Sequence, residues 1–386
     1  MKTSTDRILT THTGSLPRPK PLLDIILRRE QGEKIDAATF EAATAQAVDE
    51  VVAQQVASGV DIVSDGEMSK PSYTTYIRHR VEGIEHDPRA AEKGRDIMLG
   101  RDLIAHPDFG NTRRNFSASP FPGCVGPLNY KDRSALDRDL AHLKAAAAKH
   151  KPADVFMTAP SPGIVSTTML NAYYDSHDAY LDAIAREMKN EYQAIAKAGL
   201  TLQIDAPDLA MDRTMMYRDL SDADFVKRVD KHIAVINAGI EGIPREQVRL
   251  HVCYGNWEGP HVHDIALAKI LPALYQANVS ALSIEFSNPR HAHEYAAFKK
   301  HPLPKDMLLV PGVIETTSNF VEHPEVVARR IEEAVAAVGE RERVIAGTDC
   351  GFGTFAAYSK VDPAIAFKKL RALAQGAAIA SKRLWN

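Results

Sequence analysis

Cysteine is scarce in this chain: three in 386 residues, at positions 124, 253 and 350. An odd set spread so widely is not a disulfide framework and fits a reducing compartment. Long apolar runs are missing as well; no stretch reaches the roughly 18 residues that a membrane-spanning helix needs. Neither sign of charge dominates, with 47 Lys+Arg against 50 Asp+Glu and a formal net charge of −3. A protein that gripped a phosphate backbone through bulk charge would show a basic excess, so nucleic acid is not expected as a partner. The opening MKTSTDRILTTHTGS has no apolar segment of the kind a secretory leader carries, and a cytoplasmic protein is expected. The G-x-G-x-x-G turn of a dinucleotide fold does not follow the first apolar run.

What is present is a rhythm. Short apolar runs at 8–15, 60–67, 155–160, 202–205, 248–253, 281–287, 307–313 and 344–350 read as strands. Between them lie amphipathic stretches, among them 37–58, 177–198, 222–239, 323–338 and 363–384. Ser221, followed by Asp222 and Asp224, has the chemistry of a helix start. Eight strands alternating with helices predict an α/β protein, a (β/α)8 TIM barrel, with 1–386 as one domain. A long insertion between strands 2 and 3, at about 78–150, breaks the rhythm and is expected to hold a hairpin and a flanking helix near the barrel mouth.

In such a barrel the reactive residues gather at the C-terminal strand ends, where the loops converge. Those ends carry Ser15, Glu67, Asp205, His251 with Cys253, Glu285 and Cys350. Residues i and i+2 of a strand point the same way, so His251 and Cys253 would both face the axis. Two sulfurs, one nitrogen and one carboxylate make a soft set suited to tetrahedral Zn2+. The H-x-C pattern alone leaves the alternative of a satisfied core histidine beside a small buried cysteine. The pairs His261/His263 and His291/His293 lie in polar contexts without cysteine and read as solvated surface histidines. A thiolate-rich zinc site suits thiol activation better than hydrolysis, because a coordinated sulfhydryl loses its proton near neutral pH. Glu67 and Asp205 could then hold a cationic group of the thiol, or simply cap helices and pair internally.

With those motifs in view, the chain resembles the cobalamin-independent methionine synthases, in their C-terminal catalytic barrel and shorter stand-alone relatives. The resemblance runs through THTGSLPRP (11–19), SDGEMSK (64–70), MTAPSPG (157–163), LQIDAPDLAM (202–211), LHVCYGN (250–256), LSIEFSN (282–288), VPGVIETTSN (310–319) and GTDCGFG (347–353). It implies a zinc-dependent methyltransferase of methionine biosynthesis with His251, Cys253, Glu285 and Cys350 as metal ligands. It further implies Gly14 and Ser15 at the carboxylate of an amino-acid thiol such as homocysteine, with Glu67 and Asp205 at its amino group. The methyl donor would be a folate or another small molecule, and a homo-oligomer is possible. The chain departs from the family pattern at Ala206, where a glutamate is usual, and at Thr317, where a histidine is usual. Arg18 supplies a planar cationic fork suited to a carboxylate or sulfonate. The same superfamily includes epoxyalkane:coenzyme M transferase-like enzymes, for which His12 and Tyr73 are candidate proton donors. A non-catalytic zinc- or thiol-binding accessory protein and a metal-free hydrolase or lyase are the readings from other classes.

Overall fold

The computed structural model describes residues 1–109, 122–356 and 358–386. Its centre is a parallel sheet of seven strands in the order β1-β4-β6-β7-β8-β9-β10: β1 Ile62–Val63, β4 Asp154–Pro160, β6 Thr201–Asp205, β7 Val248–Val252, β8 Ala281–Glu285, β9 Leu308–Ile314 and β10 Gly347–Thr348. The run at 8–15 forms no regular strand, yet it joins the two edges. Thr11 N donates to Ala346 O (2.9 Å), Ala346 N to Leu9 O (2.8 Å) and Ile62 N to Thr10 O (3.0 Å). The architecture is α/β and TIM-barrel-like.

Successive side chains of each strand point to opposite faces of the sheet. Along β7, Val248, Leu250 and Val252 join the large core beneath the helices, while Arg249, His251 and Cys253 take the other face. Inside, Leu9, Ile62, Phe156, Ala281, Val310 and Ile345 form an apolar layer. Above it lies a polar layer. Arg249 sits 3.7 Å over the Phe156 ring and donates to Gln203 Oε1, Thr11 Oγ1 and the carbonyl of His12.

Helices begin where short polar side chains accept the first free N–H groups. Ser221 accepts from Asp224 N at 3.1 Å to open Asp222–Gly239, as its sequence context predicts. Asp36 does the same for Ala37–Ala57 and Ser161 for Pro162–Thr168.

The excursion after β1 builds a second sheet. β2 (Val81–His86) pairs antiparallel with β3 (Pro122–Tyr130), and β3 pairs parallel with β5 (Leu170–Asn171). The strands of the expected hairpin are there, separated by the helix Pro88–Ala105 instead of a tight turn, and Ser134–His150 supplies the flanking helix. The start of the Pro/Gly cluster at 119–121 lies outside the described residues. The excursion is tied down by charge as well as by strands: Arg80, buried, donates to Glu191 at 2.8 Å and to Asp139. No helix among the described residues is long and apolar enough to cross a membrane.

Candidate metal centre

The C-terminal end of β7 and the loop after β10 bring His251, Cys253 and Cys350 together. Their ligand atoms all lie within 4.8 Å of one another, and all three residues are buried. Strand pleating accounts for the first two, since His251 and Cys253 are two residues apart on the inward face. Asp349, next to Cys350, fixes the third. Its Oδ1 accepts from Phe286 N and Ser287 N and its Oδ2 from Asn288 N, all at 3.0 Å, which hooks the loop after β8 onto the cysteine loop. This approach requires Gly312: a Cβ there would sit 2.1 Å from Asp349 Oδ1.

The electrostatics of the trio favour an ion. Both ring nitrogens of His251 are buried with no hydrogen-bond partner among the described residues. Burial, followed by the nearby Arg249 charge, pushes its pKa down to about 3, so the ring is neutral with a lone pair to give. The Cys253 thiol is raised, first by the hydrogen bond with Cys350 and then by burial, so the fold alone does not make a thiolate. A neutral imidazole without a partner beside two convergent cysteine sulfurs fits a zinc-class ion.

Glu285 stands beside the trio without being one of the three mutually close residues. Its Oε1 accepts from Tyr254 N and its Oε2 from Asn288 Nδ2, each at 2.9 Å. Burial and then the neighbouring Cys253 push its pKa well up.

The residues expected to hold substrate gather next door. Asp205 is in register with His251, and Ser15 packs so tightly on Gly351 that a Cβ on that glycine would lie 2.0 Å from Ser15 Oγ. Glu67 has a left-handed backbone (φ 58°), held by its N–H donating to Asp65 Oδ1. Its Oε1 accepts from Thr158 Oγ1 at 2.8 Å, while Oε2 is buried and has no partner among the described residues. Burial and then Glu67 push the Asp205 carboxyl well up. Two carboxyls in one buried pocket, one with an unsatisfied oxygen, ask for a cationic guest. Gly14 lies against them, its φ of 141° and the Thr158 methyl, 2.5 Å from a hypothetical Cβ, leaving no room for a side chain.

Two other residues are placed differently from a free ligand-binding role. The Arg18 fork is occupied by backbone, NH1 donating to Gly353 O (2.7 Å) and NH2 to Glu67 O (2.9 Å), so it braces the two loops. His12 is locked: Nε2 lies 2.7 Å from Gln55 Oε1, and Nδ1 accepts from Gly14 N at 3.2 Å. Tyr73 faces the centre. Its phenol is raised by burial and then by Cys253 and Cys350, so it stays protonated.

The histidines read as surface residues need a correction. His293 is exposed, but His291 is buried and paired with Asp264 and Glu294. Asn256 is a participant that sequence reasoning passed over although it stands inside LHVCYGN. It donates to Gly351 O (2.8 Å) and Thr354 Oγ1 (2.7 Å), tying the β7 loop to the cysteine loop. A cavity of about 360 Å³ opens beside the trio, lined by Trp257, Glu285, Asn288, Thr316, Thr317 and Cys350 among others.

Residues 138–374 match the catalytic domain of the cobalamin-independent synthases, and the chain belongs to that family, a family of methionine synthase enzymes. Among its relatives, a methionine synthase of Thermococcus kodakarensis is 24% identical over 378 residues, spanning 97% of this chain and 94% of its own. A 2-hydroxypropyl-CoM lyase of Xanthobacter autotrophicus is 26% identical over 406 residues, spanning 98% and 96%. The solved B12-independent methionine synthase of Shewanella sp. W3-18-1, in complex with selenomethionine, superposes with a TM-score of 0.74 at 20% identity, covering 98% of this chain and 99% of that one. At that identity the likeness speaks for the fold.

Proposed function

We propose that this protein is a zinc-dependent thiol alkyltransferase that moves a methyl group from a folate or another small methyl donor onto a thiol such as homocysteine. The observation that carries the reading is the unpartnered His251 converging with Cys253 and Cys350, beside a carboxylate pocket with an orphaned oxygen at Glu67. A zinc ion held by His251, Cys253 and Cys350, with Glu285 as the adjacent fourth donor, would lower the pKa of a substrate sulfhydryl to near neutral pH.

The rest is done by the chain. Gly14 and Ser15 present the turn that receives the carboxylate end of the thiol. Glu67 and Asp205 receive its ammonium, which offsets the burial and the Glu67 repulsion that together raise the Asp205 pKa. Arg18 and Asn256 hold the surrounding loops in register, which keeps sulfur and methyl donor in line. The cavity walled by Trp257 and Thr316 offers room for the donor. A carboxylate-rich pocket favours an amino-acid thiol over an anionic one such as coenzyme M.

Epoxide opening by a thiol is the second reading, supported by the 2-hydroxypropyl-CoM lyase relative and by Tyr73. In that reaction sulfur bonds to a ring carbon, the C–O bond breaks, and the oxygen takes a proton; a phenol held protonated beside the thiols can supply it.

Calorimetry of the zinc-loaded protein with homocysteine and with coenzyme M, followed by turnover assays with methyltetrahydrofolate and with epoxypropane, tests both. Homocysteine binding with proton release, then methyl transfer, is expected. Coenzyme M binding with epoxide consumption would favour the second reading. Thiol binding without turnover of any alkyl donor would make the protein an accessory, and absence of zinc on metal analysis would remove all three.

A further inference from the structure

Beyond the first centre lies a second cluster, built from the loops after β7 and β8. His261 Nδ1 lies 2.7 Å and His291 Nε2 2.9 Å from the same atom, Asp264 Oδ2. The far nitrogen of each ring faces an acceptor and carries a proton. His261 Nε2 lies 3.1 Å from the carbonyl oxygen of Trp257, which can only accept, so that nitrogen is the N–H. His291 Nδ1 lies 3.0 Å from Glu294 Oε2, in a carboxylate that also accepts from Tyr254 OH (3.2 Å) and, through Oε1, from Leu267 N (2.7 Å). Glu294 is therefore an acceptor, and His291 Nδ1 is the N–H.

Without an ion, the ring nitrogens facing Asp264 Oδ2 pair with that carboxylate through their protons. The same three atoms lie within 4.8 Å of one another, close enough for one divalent ion to take the place of the shared protons and be held by all three. The outer contacts match what a metal-binding histidine requires, a far N–H donated to a carbonyl or a carboxylate. Tyr254 stacks on His291 with ring centroids 3.8 Å apart and fixes its plane. His261 holds a left-handed backbone (φ 52°), a conformation costly for a side-chain-bearing residue and kept where the surroundings impose it.

We propose that His261, Asp264 and His291 form a second divalent-metal site, selective for zinc-class ions, that staples the β7 loop to the β8 loop. Two nitrogens and one carboxylate oxygen suit Zn2+, Co2+ or Ni2+ over Mg2+ or Ca2+. Both loops wall the cavity beside the first centre, and His261 is part of that wall. The role is structural: the ion sets the position of Trp257 and Asn288 whether or not the first centre is filled. The inference stands apart from the proposed reaction.

Cobalt titration of the metal-free full chain tests it, because sulfur ligation is visible separately. The wild type is expected to take two equivalents, with a near-ultraviolet thiolate-to-cobalt band from one of them only. His261→Gln, at a partly exposed position, should take one equivalent with that band intact, and Asp264→Asn the same. A Cys253→Ser/Cys350→Ser double variant should retain one equivalent without the band. One equivalent in the wild type, or a second equivalent that survives His261→Gln and Asp264→Asn, overturns the proposal.

Discussion

His12 and His251 share the interior of the same barrel. Each is 2% exposed, and each is pushed by burial to a pKa of about 3. Their hydrogen bonds differ completely. His12 spends Nε2 on Gln55 and Nδ1 on the N–H of Gly14, whereas neither nitrogen of His251 has a partner among the described residues. Burial and a depressed pKa therefore do not distinguish a structural histidine from a ligand. What separates these two is the partner of each ring nitrogen, because a buried polar atom left unpaired needs an ion, a ligand, a water or strain to account for it. Glu67 repeats the lesson within one carboxylate, with Oε1 paired and Oε2 not.

The strongest way to break this contrast is substitution at the two histidines. His251→Ala or Cys350→Ala should weaken zinc retention by more than ~100-fold, beyond the usual loss for an outer-contact residue, with the fold intact by circular dichroism. His12→Gln should keep its zinc. Equal retention in His251→Ala and His12→Gln would remove the distinction.

Acid titration comes next. A histidine whose folded pKa lies below its unfolded value of 6.5 binds fewer protons when folded. Its contribution is fully present above pH 6.5 and is lost as the pH falls toward about 3, at about 1.4 kcal/mol per pH unit of difference. Urea midpoints between pH 7 and 4 should fall steeply in the wild type and less steeply in His12→Gln. Zinc should move the His251 part of that loss to lower pH and leave the His12 part where it is.

Gln55→Leu would strip His12 Nε2 of its partner while Nδ1 keeps the Gly14 N–H. Gln55 also donates to Ser64 O (2.8 Å) and accepts from Ser64 N (3.0 Å), so several buried groups lose partners together. A loss of about 2–4 kcal/mol in chemical unfolding is expected. Gly14→Ala should cost about 1–3 kcal/mol, through its left-handed φ and the contact with Thr158. Smallest is Glu67→Gln, expected to raise KM for an amino thiol roughly tenfold, about 1.4 kcal/mol, while leaving a thiol without an ammonium unaffected. Steady-state kinetics with the two thiols checks it.

Periodicity was a good guide where one residue type repeated. The helices Asp222–Gly239 and His177–Lys197 and the strand Val248–Val252 fall within a residue of their patterns, because each buries one regular face. It was a poor guide at 8–15 and 344–350. There the chain makes bridges at Thr10 and Val344 and a strand of only two residues, since polar Thr10, Thr11 and Thr13 use side-chain as well as backbone bonds. His261 and His291 were misjudged for a related reason. Polar neighbours in sequence suggested solvent, whereas Tyr254 and Asp264, distant along the chain, close over His291.

The residues themselves determined the chemistry on offer: two thiols and an imidazole at strand ends, acids at three others, and nearly balanced charge. Strand alternation alone placed His251 and Cys253 on one face, because a pleated strand has only two. Only the tertiary structure decided that Cys350 joins them while Glu285 keeps its oxygens on Tyr254 and Asn288, that Arg18 is spent on backbone, and that Asp264 gathers two histidines. Those outcomes depend on which loop lies against which once the sheet curves, and a linear pattern carries no distance between residues a hundred positions apart.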